Sequence, residues 1–140
     1  APDDARMRPD SDHEAWFVLV TAPRHGTSGA TGTVDWTAPG LSESYRDRVL
    51  DVMASRGYDV RDRLLWSEIR TPADLERDTR APGGAIYGTS SNGARAAFLR
   101  PTNRSPVPGL FLVGGSAHPG GGLPLVGISA DIVAQMIGRA

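Results

Sequence analysis

Residues 114–130 read GGSAHPGGGLPLVGISA, and everything else in the chain is placed by how this stretch is understood. Five glycines fall within 114–122, with Pro119 among them and Pro124 just beyond. The apolar run GLFLVGG leads into the stretch, and a helix-like run follows it. A simple turn needs one or two glycines. Glycine at this density serves a backbone that turns tightly or lets something come close. The order strand, glycine loop, helix has a definite physics. A helix N-terminus carries free N–H groups and a partial positive charge, and flanking glycines let a ligand reach them. The spacing matches neither the dinucleotide fingerprint G-x-G-x-x-G nor a P-loop, which ends in Gly-Lys-Ser/Thr. A tight connection with no ligand accounts for the local sequence as well as a binding loop does.

Composition bounds the rest. At 140 residues the chain is most simply one domain, long enough to bury a core. A net charge of −1 gives no broad electrostatic case for nucleic acid or an anionic surface. All 15 basic residues are arginine, which reads as the codon bias of a GC-rich genome. The absence of cysteine excludes disulfides, thiolate metal sites and a cysteine nucleophile. No apolar run reaches the roughly 18 residues that a membrane span needs, and no signal-peptide pattern opens the chain. It begins at Ala1 with a polar, acidic stretch and reads as a piece of a longer protein.

Upstream, EAWFVLVTAP (14–23) holds an unbroken apolar, β-rich run from Trp16 to Val20 ended by Pro23, the pattern of a strand buried on both faces. Residues 24–40 are rich in Gly, Thr and Ser and read as loop. A helix follows, capped by Ser42 or Ser44, with Tyr45, Val49, Val52 and Met53 at helical spacing and Gly57 placed to end it. DRLLWSEIR (62–70) reads as a second strand. TPADLERDT reads as a short helix, with Thr71 as N-cap, Pro72 at the first helical position, and Asp74 and Glu76 in the first turn. Residues 80–109 carry many Gly, Pro, Ser and Asn without periodicity, a loop long enough to suggest function or a partner. A short buried strand over 110–113 and a terminal helix over 125–138 complete the reading. In that helix Val126, Ala130, Val133 and Ile137 share a face.

GLFLVGGSAHPGGGLPLVGISADIVAQMI resembles the C-terminal signature of the carotenoid (phytoene) desaturase family of flavoproteins. AWFVLVTAP, TPADLE, GGAIYG and AFLRPTNRSPVPGLFLVGG resemble further blocks of that family, in the right order. The likeness runs from about Asp12 onward. It implies a mixed α/β chain that is the C-terminal part of a two-domain, Rossmann-type, amine-oxidase-like FAD protein. Residues 1–105 would belong to the substrate domain, and residues 106–140 would return to complete the flavin site. It implies FAD as cofactor and an acyclic carotenoid, hydroxylated or methoxylated forms included, as the hydrophobic substrate. Gly114 and Gly115 would approach the ribityl and pyrophosphate. Gly121, Gly122, Leu123, Pro124, Leu125 and Val126 would bring the helix start to the pyrimidine edge of the flavin ring. Pro124 has no N–H, so Leu125 and Val126 would be the donors there.

Two departures from the family pattern matter. Gly115 stands where many relatives carry an acidic residue, so contacts to the sugar from that position would be made by the backbone. The G-x-G-x-x-G half that holds the ADP moiety is absent, so the chain alone is expected to be inactive and to lack bound FAD. The parent is expected to be cytoplasmic, with peripheral membrane contact possible, and the isolated chain to self-associate, as a homodimer for instance.

Other residues carry weaker signals. Tyr87, in its glycine-flanked block, either lines the substrate cavity or simply packs. Arg100 and Arg104 either pair with cofactor phosphates or bind solvent and backbone carbonyls. His13, His25 and His118 are scattered, with no i,i+4 pair, so no metal site is expected. His118 is better read as structural than as an acid or ligand. No catalytic base is identifiable. Flavin dehydrogenation of a hydrocarbon leaves the hard chemistry to the cofactor. Two other readings stay open: an amine-oxidase-like flavoprotein, and a non-catalytic fragment or subunit that needs a flavin-binding half.

Overall fold

The computed structural model describes Arg6, Asp10 and residues 12–29, 31–88 and 100–138. The chain is mixed α/β: the described residues form two two-residue strands, β1 (Arg24–His25) and β2 (Thr33–Val34), and three helices, α1 (Leu41–Ser55), α2 (Pro72–Thr79) and α3 (Leu123–Ile137). Short 3₁₀ turns cover Arg61–Arg63 and Pro82–Gly84. The strands pair in parallel, Arg24 with Thr33 and His25 with Val34, inside a stretch that the sequence presents as loop. No helix among the described residues is long and apolar enough to cross a membrane.

The helix ends follow from local chemistry. α2 carries a full capping box: the Asp74 backbone N–H donates to Thr71 Oγ1, and the Asp74 carboxylate accepts from the Thr71 backbone N–H at 2.8 Å. Pro72 occupies the first turn, where its missing N–H costs nothing. α1 ends in a Schellman motif. The Tyr58 N–H returns to Met53 O and the Gly57 N–H to Ala54 O, with Gly57 at φ 90°. Its start differs from the sequence reading. Gly40, not a serine, stands at the N-cap. The hydroxyls of Ser42 and Ser44 donate instead to Glu43 and to Leu41 O, because the helix begins before either can cap it.

α2 packs against the Pro82–Gly84 turn and β1. Beside them lies Trp36, which donates its indole N–H to Pro23 O at 2.8 Å and its backbone N–H to His25 Nδ1 at 3.2 Å. Its ring meets Tyr45 of α1 edge-on, with centroids 5.0 Å apart. Only Trp36, Ala117 and Val133 are buried apolar residues among those described.

Three expected strands are absent. Residues 14–23 are not a strand, and Phe17 and Leu19 are 83% and 71% exposed where burial on both faces is expected. Residues 62–70 open in a 3₁₀ turn and continue without pairing, leaving Leu65 and Trp66 exposed. Residues 110–113 keep one isolated antiparallel bridge, Phe111 to Arg104, while Leu110, Leu112 and Val113 are exposed. The cause is common to all three. A strand buried on both faces needs neighbours along both edges and a layer over each face, and no strand among the described residues exceeds two residues.

Candidate functional site

The glycine loop is held by a buried polar hub that its own sequence does not announce. Asn103 Nδ2 lies 3.0 Å from Leu112 O, 2.9 Å from His118 O and 3.0 Å from Ser129 Oγ. Ser129 Oγ also accepts from the Gly114 N–H at 3.2 Å. The Leu112 N–H donates to Asn103 O, and the His118 N–H to Pro101 O. Segment 101–104, the run 111–114, the loop and α3 are thereby tied together. Neither Asn103 nor Ser129 is marked in the sequence reading. A polar residue gives no local sign that it will be buried, and only the serine's place between Val126 and Val133 on α3 hints at an inward face.

The sequence-predicted residues divide by surroundings. Gly121 lies under Tyr87: a side-chain carbon on Gly121 would fall 1.9 Å from Tyr87 Cδ1. Gly115 faces Gly121 Cα and Ile86 O at ordinary contact distance, so close packing requires a glycine at 121 and not at 115. Gly114 and Gly122 have open space where a side chain would project, at φ 114° and 98°. The Tyr87 ring thus packs on the loop and remains half exposed.

α3 starts at Leu123, two residues before the sequence reading, with Gly122 at its N-cap and Pro124 in its first turn. Of the four residues predicted to share its inner face, Val133 is buried and Val126 half-buried, while Ala130 and Ile137 are exposed. Ser129 and Ile132 complete that face. The Val126 N–H donates to Gly122 O at 2.9 Å, closing the first helical bond, so Val126 is not a free donor. Leu123 takes its place: its N–H and that of Leu125 find no acceptor among the described residues. The open rim of the loop is therefore Gly114, Gly122, Leu123 and Leu125. Two free N–H groups at the positive end of a 15-residue helix can receive an anionic or electron-rich edge.

The flanking cations have other partners. Arg100 Nη1 donates to Tyr87 O and to Gly115 O, both at 2.9 Å. Arg104 lies over the Phe111 ring at 5.6 Å. The histidines stand apart. His13 pairs with Asp10 at 2.6 Å and holds that carboxyl below its ordinary value, His25 is bonded to Trp36, and His118 lies in the loop. A cavity of about 790 Å³ opens elsewhere, between α1, α2 and residues 67–69. Its walls include Glu43, Arg46, Glu68, Asp74 and Arg77, and it shares no residue with the loop. Charged walls do not suit a hydrocarbon.

No family model matches the chain. It is 36% identical over 125 residues, 89% of its length, to 1-hydroxycarotenoid 3,4-desaturase of Flavobacterium sp. (strain P99-3). It is 36% identical over 95 residues, 66% of its length, to 4,4'-diaponeurosporene oxygenase of Staphylococcus aureus (strain USA300). The chain belongs to the carotenoid desaturase family. It spans 24% of the first relative and 19% of the second.

Proposed function

We propose that this chain forms the C-terminal part of an FAD-dependent oxidoreductase that dehydrogenates an acyclic carotenoid. Residues 1–105 would contribute to the substrate domain, and 106–140 would complete the flavin site. The observation that carries the reading is the 36% identity to a carotenoid desaturase over 89% of the chain. The geometry of the loop supports it. Gly122 offers open approach, and the Leu123 and Leu125 N–H groups at the helix start have no acceptor among the described residues. FAD, when bound, accepts the hydrogen and electrons removed from the polyene. The chain's own part is to set donors against an edge that becomes more negative on reduction, and to keep that edge in a fixed place. Tyr87, packed on Gly121, would form part of the adjoining wall.

The exposed runs support a second element of the reading, that the chain works only with the remaining desaturase polypeptide. The holoenzyme is here these 140 residues together with that remainder. Two measurements test the proposal. The holoenzyme should retain FAD after desalting and should introduce double bonds into an acyclic carotenoid, read by a red shift of the polyene absorbance. The 140-residue chain purified alone should be colourless. A holoenzyme without flavin bands, or one that leaves every acyclic carotenoid unchanged, would overturn the reading.

A further inference from the structure

Arg100 serves two backbone carbonyls with one nitrogen. Its Nη1 bonds Tyr87 O and Gly115 O, joining the block before residue 88 to the start of the glycine loop. Its Nε lies 3.4 Å from the point where a side chain on Gly120 would project. Around this clamp the Tyr87 ring covers Gly121, and Ser116 lies close against Gly88. Three stretches remote in sequence meet at a single guanidinium. Apolar packing does little of this work, since Ala117 is the one buried apolar residue of the loop. Charge-assisted hydrogen bonds from a group that never loses its proton are well suited to it.

We propose that Arg100 is a positioning residue: by bridging Tyr87 O and Gly115 O it fixes the Tyr87 ring over Gly121 and so sets the direction of the free N–H groups at the start of α3. This rests on the reading that the α3 start meets the flavin. Because one nitrogen makes both contacts, a lysine ammonium, with three donors and one bond less reach, replaces it in part. Methionine, which keeps an unbranched stem and has no donor, cannot.

The test compares R100M and R100K with the wild-type holoenzyme. Three readouts are taken: exchange of the Ala117 and His118 amides, the dissociation constant for FAD, and the visible circular dichroism of bound flavin. R100M should speed exchange at both amides while leaving the Leu75 and Arg80 amides of α2 unchanged. It should weaken FAD binding by about tenfold, as expected for losing a pair of bonds to a charged donor, and alter the flavin dichroism. R100K should restore all three toward wild type. Unchanged loop exchange in R100M overturns the proposal, and so does faster exchange with unchanged FAD affinity and dichroism. If R100M does not fold, R100Q, whose amide is shorter, takes its place with the same expectations. If the wild-type holoenzyme takes up no FAD, the proposed function fails separately. The clamp is then judged on exchange alone: fast in R100M and slow in R100K supports it, and any other pattern overturns it.

Discussion

Asn103 and Ser129 meet at 3.0 Å across 26 residues of sequence, and Ser129 is completely buried. The pair fastens α3 to the segment that precedes the glycine loop. Removing a buried amide leaves the acceptors it served without a donor. Asn103→Ala leaves Leu112 O and His118 O without their amide donor and takes one of two donors from Ser129 Oγ, which keeps the Gly114 N–H. It should lower stability by about 2–3 kcal/mol, more than Ser129→Ala at about 1 kcal/mol. Urea unfolding followed by far-ultraviolet dichroism checks the order. Equal, small losses would mean that the hub does not hold α3.

Tyr87 and Gly121 should behave as a coupled pair. Gly121→Ala places a methyl where the Tyr87 ring lies, so the ring or the loop must shift. The substitution should be destabilising with Tyr87 present and much less so in Tyr87→Ala. A double-mutant cycle on unfolding free energy should show coupling of about 1–3 kcal/mol. Additive losses would place the ring elsewhere in solution.

Gly122 separates two uses of the loop. Its φ of 98° strains any other residue, yet nothing among the described residues would collide with a side chain there. In the holoenzyme, Gly122→Val should cost about 1–3 kcal/mol of backbone strain and also remove FAD from molecules that remain folded. Flavin per folded molecule, measured beside the melting temperature, tells the two effects apart. Full flavin occupancy with a lowered melting point would make the loop a connector only.

Asp74 gives α2 an acid limit. Its carboxyl is held down to about 2, first by the Thr71 hydroxyl, then by the Thr71 backbone N–H and Arg77. A folded value below the unfolded 3.8 means that this stabilisation is present above pH 4 or so and fades as pH falls toward 2. Asp74→Asn should cost about 1 kcal/mol near neutral pH and flatten the loss of α2 protection between pH 4 and 2. Amide exchange at Leu75 and Arg80 measures it. A wild-type profile in the variant would rule out the carboxylate as the source.

The exposed run from Trp16 to Val20, with Leu65 and Trp66, should drive the isolated chain to associate. Light scattering across a concentration series should show dimers or larger species. Co-expression with the remaining desaturase polypeptide should suppress them and protect Trp16 and Trp66 from fluorescence quenchers. A monomer at high concentration with both tryptophans quenchable would count against these runs as contact surfaces.

What the sequence determined by itself was local or written in motifs. Thr71 and Pro72 announce α2, Gly57 ends α1, and the run after Gly122 is a helix, because caps and turn residues act on backbone within a few positions of themselves. The resemblance at residues 114–130 led to the carotenoid desaturases. Tertiary structure alone decided the rest. Asn103 is an ordinary polar residue in the sequence, and Arg100 is open there between phosphate and backbone carbonyls; hub and clamp exist only once distant segments meet. The Val126 N–H was spent on Gly122 O because the helix began earlier than its apolar pattern shows. The runs at 16–20, 64–66 and 110–113 have the composition of buried strands and yet, among the described residues, none forms a strand, 110–113 keeping only the Phe111–Arg104 bridge. Burial on two faces is a property of an assembled sheet, and no sequence pattern supplies the neighbouring strands that a sheet requires.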